Sequence, residues 1–96
     1  MMLLAIIAQP TLEEELIDWL LTQENISGFT SQAANGHGSG HEMSLSEQVT
    51  GRRHQIVFWI ELEKQMAELI LIDLKKRFSG SGLHYWLMPL SERGSI

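Results

Sequence analysis

The residues best suited to chemistry lie in one glycine-rich stretch, NGHGSGHE, at positions 35–42. His37 and His41 are four residues apart and Glu42 follows directly, and imidazole and carboxylate groups are good ligands for Zn, Cu and Ni. Four-residue spacing aligns two histidines on one face only in a helix, so here glycine freedom would have to bring the two rings together. The stretch is open to three interpretations: a metal site, a phosphate cradle or the tip of a loop.

The surrounding segment, residues 36–51, has no sustained apolar period and is rich in Gly, Ser, His and Glu. Loops longer than about 12 to 15 residues without structure of their own are usually functional or disordered. Gly36, Gly38 and Gly40 give this one its conformational freedom. Met43 offers either a thioether ligand for Cu(I) or a docking contact. We interpret residues 36–51 as a long interaction loop.

Composition narrows the class of protein. The 96 residues fit one domain, and the absence of cysteine excludes disulfides, thiolate metal sites and cysteine nucleophiles. A net charge of -5 and a pI near 5.2 argue against a nucleic-acid partner. The strand after the loop also lacks the glycine that an RNA-binding domain carries after its basic residue. No nucleophile motif or acid-base pair stands in a recognisable context, so we expect no enzyme.

The first half of the chain predicts a strand, a helix and an edge strand. Met2–Ala8 is apolar at both parities and suits a strand buried on both faces. It lacks a basic leader and is too short to span a bilayer, so we expect a cytoplasmic protein without membrane insertion. Thr11 and Glu14 have capping-box spacing, which predicts a helix start. The helix is expected to bury Leu12, Leu16, Ile17, Trp19, Leu20 and Leu21. Residues 29–35 alternate and suit an edge strand.

The second half repeats the order strand, helix, strand. Residues 54–62 are dense in β-branched and aromatic side chains, which predicts a strand. Residues 64–78 predict a helix whose inward stripe is Ala67, Ile70, Leu71, Leu74 and Phe78, with Gly80 as its left-handed stop. Residues 83–90 suit a last strand, in which Pro89 requires either an edge position or a place among the final residues.

This order of elements predicts an α+β fold, the ferredoxin-like βαββαβ sandwich, with a four-stranded antiparallel or mixed sheet and two helices on one face. The first and third strands are expected to be adjacent and parallel at the centre of the sheet. Two helices cover one face only, yet Val57, Trp59 and one parity of the first strand point to the other. We expect a second copy of the chain to cover that apolar face.

With these features the chain resembles the PII-like superfamily of nitrogen regulatory PII and CutA proteins. The resemblance extends over AIIAQPTLEEELIDWL, the glycine-rich loop, QIVFWIELEKQMAELILIDL and WLMPL, which is nearly the whole chain. Known members are mostly trimers of ferredoxin-like subunits with a long loop between the second and third strands. The departures from that pattern resemble small PII-like proteins associated with heavy-metal efflux systems.

Signalling PII proteins bind ATP or ADP between subunits, and two of their motifs are altered here. Gly36 and Gly40-His41 match the loop base, but Gly38 and Ser39 stand where the family has Gln and Lys. The segment SGSGLH at 79–84 replaces a family Gly-Asp-Gly-Lys and lacks the Asp and the Lys. Without those charge-assisted donors, we do not expect ATP or ADP to be retained as the ligand.

The resemblance implies two hypotheses for function. The first is a non-enzymatic, homotrimeric regulatory protein whose loop engages a partner protein or a small effector through Gly36, Gly38, Gly40, His41, Glu42 and Met43. Its inter-subunit cleft would involve Gly80, Gly82, His84 and Arg93, although His84 also suits an ordinary strand position. The second is a metal-binding protein of Cu, Zn or Ni homeostasis, in which a divalent or copper ion is held by His37, His41 and Glu42.

Overall fold

A computed structural model describes residues 1–38 and 52–96 of the chain. The strands are β1 (Met2–Ala8), β2 (Thr30–Gly36), β3 (Arg53–Leu62) and β4 (His84–Pro89). The helices are a 3-10 helix (Pro10–Leu12) that leads into α1 (Glu13–Leu21), and α2 (Lys64–Arg77). This order confirms the predicted βαββαβ arrangement with two helices packed on a four-stranded sheet.

The four strands lie in the order β2-β3-β1-β4, and every neighbouring pair is antiparallel. The predicted central position of β1 and β3 is confirmed, but their predicted parallel direction is wrong. Each helix returns the chain to a strand that runs parallel to the one before it but one place removed, so the strand lying between the two is antiparallel to both. We call the end where β1 and β2 stop and β3 and β4 begin the loop end of the sheet.

The helices cover one face of the sheet and enclose the core. Leu4, Ile6, Phe58 and Ile60 on that face have no exposed surface, and the predicted inward stripe of α2 is buried throughout. Trp19 of α1 packs edge-on against Phe78 with ring centroids 5.7 Å apart. The α-helical period of the sequence therefore identified the buried side of α2 correctly.

Two details of α1 differ from expectation. The helix begins at Glu13 with Leu12 as its N-cap, and neither it nor the 3-10 helix has a side-chain cap hydrogen bond, so the predicted capping box of Thr11 and Glu14 does not form. Pro10 starts a 3-10 turn that places Thr11 inside the turn rather than at the cap position. Leu21, expected to be inward, is 71% exposed because the predicted stripe was drawn too far around the helix. None of the described helices has the length and apolar character needed to cross a membrane.

Candidate functional site at the loop end of the sheet

The loop end collects the described part of the predicted loop and the glycine segment before β4. Gly36 is the last residue of β2 and lies opposite Arg53, so His37 continues outward beside Arg52. On the other side of β1, His84 begins β4 and lies opposite Ile7. The two predicted glycine segments, far apart in sequence, therefore share one end of the sheet.

A neighbouring side chain occupies the space that a Cβ atom at Gly36 would need. A Cβ atom built on Gly36 would lie 2.7 Å from Oε1 and 2.8 Å from Cδ of Gln55. Gln55 stands opposite Ala34, so its side chain lies diagonally across the strand pair and over the backbone of Gly36. Among the described glycines, positive φ occurs at Gly80 and Gly82 instead. At Gly36, the missing side chain makes room for the side-chain amide of Gln55. Among the described residues, no atom lies within 4 Å of a Cβ atom built on Gly38.

The glycine segment before β4 forms one wall of a pocket of about 170 Å³. Gly80 and Gly82 have φ values of 75° and 80°, a conformation that suits glycine and turns the chain from α2 into β4. The amino group of Lys75 lies 5.4 Å from the centre of the Tyr85 ring at the rim. The remaining lining residues are Leu74, Phe78, Ser79 and Leu83. The pocket thus has an apolar floor and a cationic rim.

Charged side chains of both signs meet at this end of the sheet. Of the seven Lys and Arg residues, Arg52 and Arg53 stand at the start of β3, and three more form the last turn of α2, just before the glycine segment. These last three are Lys75, Lys76 and Arg77. Five of the seven cationic side chains therefore belong to the elements that meet at the loop end, and the three glutamates in the first turn of α1, Glu13, Glu14 and Glu15, lie at the same end.

The predicted inter-subunit cleft residues are divided within one chain. Gly80, Gly82 and His84 lie together at the loop end, and the imidazole of His84 packs edge-on against Trp86 with centroids 5.6 Å apart. Arg93 follows β4 and lies at the opposite end, where its Nε donates to Oε2 of Glu61 at 2.8 Å. One chain therefore brings together the first three of these residues and separates the fourth from them.

Most of the predicted loop site falls outside the described residues. Gly40, His41, Glu42 and Met43 all belong to 39–51, so the three-ligand metal hypothesis rests on His37 alone here, whose side chain is exposed. Within residues 1–38 and 52–96, no group of three or more His, Asp or Glu side chains is arranged to hold a metal ion.

The sheet face without helices, which we call the open face, carries features that the sequence did not reveal. Ala5 is opposite both Trp59 and Trp86, and it has no exposed surface although no helix covers it. The indole Nε1 of Trp59 donates to Oε1 of Gln32 at 2.7 Å, which fixes the ring above the sheet. The two tryptophans therefore flank Ala5, one on each of the two neighbouring strands. Strand register was the information needed to foresee this arrangement.

Solved structures of other proteins share this fold. CPII, a nitrogen regulatory PII-like protein from Thiomonas intermedia K12 determined with ADP, AMP and bicarbonate, has a TM-score of 0.71 at 19% identity and covers 99% of this chain and 94% of its own. CutA from Pyrococcus horikoshii has a TM-score of 0.74 at 8% identity, covering 98% of this chain and 88% of its own. The chain therefore has the fold seen in this PII-like protein and in CutA, as the resemblance predicted.

The family to which the chain belongs is identified from its sequence. The DUF3240 family, described as a protein of unknown function, matches residues 1–96, and the chain belongs to it. A DUF3240 family protein from Shewanella baltica OS155 has a crystal structure with a TM-score of 0.79 at 25% identity, covering 99% of this chain and 94% of its own. No curated protein sequence matches the chain.

Proposed function

We propose that this protein is a non-enzymatic regulator of the PII-like type, which assembles as a homotrimer and engages a partner protein or a small effector through the loop of residues 36–51. Two findings support the proposal. The fold is similar to that of a PII-like protein determined with ADP, AMP and bicarbonate. The open face of the sheet is also apolar and unprotected.

The open face is the observation that carries the proposal. Trp86 is 49% exposed and Met88 is 36% exposed, and Leu3 and Ile7 lie beside them on β1 with part of their surfaces exposed. A contiguous apolar surface of this kind marks an interaction site, since burial stabilises by about 25 cal/mol per Å² of apolar area. Closed rings of identical chains are the usual way to cover such a face completely.

The loop end supports the effector part of the proposal. The loop root and the glycine segment before β4 share this end, together with five of the seven Lys and Arg side chains. The PII-like protein from Thiomonas intermedia was determined with ADP, AMP and bicarbonate, so a small anion is the effector we infer for this end. Bound there, it would contact the root of the loop and shift the population of loop conformations, which a partner protein then reads.

Assembly is tested by light scattering at micromolar concentration. The wild-type protein is expected to have the mass of a trimer, and Trp86→Glu is expected to be a folded monomer because it puts charge among the exposed apolar side chains of the open face. The matched control is Leu69→Glu, since Leu69 is 58% exposed on α2 and lies on the other side of the molecule. A monomeric wild-type protein would contradict the assembly, as would equal effects of the two variants.

The effector is tested by thermal shift. Ligand present at 100 times its dissociation constant stabilises the folded state by about 2.7 kcal/mol, which raises the melting temperature measurably. Bicarbonate, AMP, ADP and ATP form the test set, with sodium chloride at matched ionic strength as control. A shift for one anion that Lys75→Ala weakens is the expected result. The absence of any shift across the set would contradict an anionic effector at this end.

Metal binding is the second candidate, favoured by the exposed position of His37 at the loop root. Calorimetry with Zn, Cu and Ni should then give binding that His37→Ala/His41→Ala removes. His84→Ala is the matched control, because His84 is also exposed but stands on β4, which two strands separate from β2. Equal binding by the parent protein and the double variant would exclude these histidines as ligands.

A further inference from the structure

The segment that follows β4, residues 90–96, is tied back to the sheet at two points. The backbone N-H of Leu90 donates to the carbonyl of Met1 at 3.1 Å, which continues the pairing of β4 with β1. Three residues later, Nε of Arg93 donates to Oε2 of Glu61 on β3 at 2.8 Å. β3 and β4 flank β1 on opposite sides, and strands are about 5 Å apart. The segment must therefore turn towards β3 and bridge the width of β1.

The crossing takes place on the open face. Glu61 and Met88 are both opposite Leu3, and residues directly opposite one another in antiparallel strands point to the same side of the sheet. Leu3 and Met88 are two of the partly exposed apolar residues of the open face. The ion pair therefore stands at the border of the surface that a second copy of the chain would cover.

In a single chain, this ion pair stabilises the fold little. The side chains of Glu61 and Arg93 are 50% and 49% exposed, and water and salt screen an exposed pair. A neighbouring copy seated on the open face would exclude water from the same pair and so strengthen the attraction between its charges. The pair would then stabilise the assembly more than it stabilises a single chain.

We propose that residues 90–96 form part of the contact between copies of this chain, and that the Glu61–Arg93 pair positions them for it. The proposal deepens the homotrimer proposed above and rests on it. It assigns Arg93 a positioning role at the far end of the sheet, instead of a place in an effector cleft with Gly80, Gly82 and His84. The partner is a second copy, because the crossing segment is continuous with the apolar surface that assembly is expected to bury.

The chain offers a matched ion pair for comparison. Arg77 and Asp73 lie one turn apart on α2, with Nε and Oδ2 separated by 3.7 Å and side-chain exposures of 62% and 46%. Their exposure is similar to that of Arg93 and Glu61, but they belong to the helix layer on the other side of the sheet. Removing the charge of Arg77 should leave contacts at the open face unchanged.

The test is a charge exchange measured by the protein concentration at which half of the trimer has dissociated. Arg93→Glu is expected to raise that concentration at least about tenfold, the lower end of the range for close charge pairs within interfaces. The exchanged variant Glu61→Arg/Arg93→Glu is expected to return to within about threefold of the wild type, and Arg77→Ala should match the wild type. Circular dichroism of diluted samples checks that each variant is folded.

The outcomes separate this proposal from the one on which it rests. A wild-type protein that is monomeric at micromolar concentration overturns both. A wild-type trimer whose dissociation is unaffected by Arg93→Glu overturns the role of the segment and leaves the trimer standing. A trimer that Arg93→Glu weakens, and that the exchanged variant fails to restore, shows that Arg93 acts without Glu61 and overturns the positioning role of the pair.

Discussion

The two faces of the sheet are built from the same strands and differ in what covers them. On the helix-covered face, Leu4, Ile6, Phe58 and Ile60 lose all their exposed surface to α1 and α2. On the open face, Trp86 and Met88 keep a third to a half of theirs, and the small side chain of Ala5 has no exposed surface. The first face accounts for the fold of one chain. The second carries apolar side chains along β1 and β4 beside polar ones such as Gln32 and Glu61, and none of the described helices covers it.

The largest expected effect comes from the covered face. Phe58→Ala should lower the free energy of unfolding by about 3 to 5 kcal/mol, because it leaves a cavity among side chains that cannot collapse to fill it. Urea denaturation at several protein concentrations measures this loss. Met88→Ala, on the open face, should cost less, and its cost should shrink on dilution because it arises from contact between copies.

The comparison fails if the two substitutions behave alike. Equal losses that do not depend on protein concentration would mean that Met88 contributes to the core of one chain. The open face would then be part of an ordinary monomer surface.

Two indole hydrogen bonds allow a finer comparison. Trp19 Nε1 donates to Oδ2 of Asp73 at 2.9 Å between the helices, and Trp59 Nε1 donates to Oε1 of Gln32 at 2.7 Å on the open face. Asp73→Ala should cost about 1 to 2 kcal/mol, because the buried indole of Trp19 loses a charged acceptor. Gln32→Ala should cost less than about 1 kcal/mol in the monomer, since water can replace an exposed acceptor.

Tryptophan fluorescence during urea denaturation measures both changes, with Trp19→Phe and Trp59→Phe variants to assign the signals. If Gln32→Ala proved the more costly at low protein concentration, the indole of Trp59 would be more deeply enclosed in one chain than its exposure indicates.

The smallest expected effects concern the glycines of the loop end. Gly80→Ala should cost about 1 kcal/mol, because its φ of 75° is unfavourable for a residue with a Cβ atom and no neighbouring atom offers compensating contact. Gly36→Ala should cost less, since the atoms it would strike belong to the mobile end of Gln55. Thermal denaturation compares the two, and Gln55→Ala combined with Gly36→Ala should relieve the clash. A Gly36→Ala cost that Gln55→Ala does not reduce would point to a backbone requirement instead.

The sequence predicted the periodic parts of this molecule well. The inward stripe of α2 follows from spacing alone, because a helix buries residues three and four apart whatever it packs against. The edge position of β4 follows from Pro89, which cannot donate a hydrogen bond to a neighbouring strand. Strand direction was predicted wrongly because the crossover rule applies to the two strands that one helix connects, and those are one place apart in this sheet instead of adjacent.

The candidate site was harder to predict because it depends on contacts between distant residues. Glu61 and Arg93 are 32 residues apart in sequence, and nothing local marks them as a pair. Gln55 over Gly36 depends on strand register in the same way. Of the glycines predicted to matter, Gly36 makes room for a side chain, whereas Gly80 and Gly82 take positive φ.

Ala5 has a consequence for how the subunit is shaped. It stands opposite both Trp59 and Trp86 and has no exposed surface, so a larger residue there is expected to push the indoles away from the sheet. The height and tilt of the two largest side chains on the open face are thus set by one of the smallest. Ala5 itself has no surface that a neighbouring molecule could touch. It nevertheless determines how closely that molecule can approach the sheet.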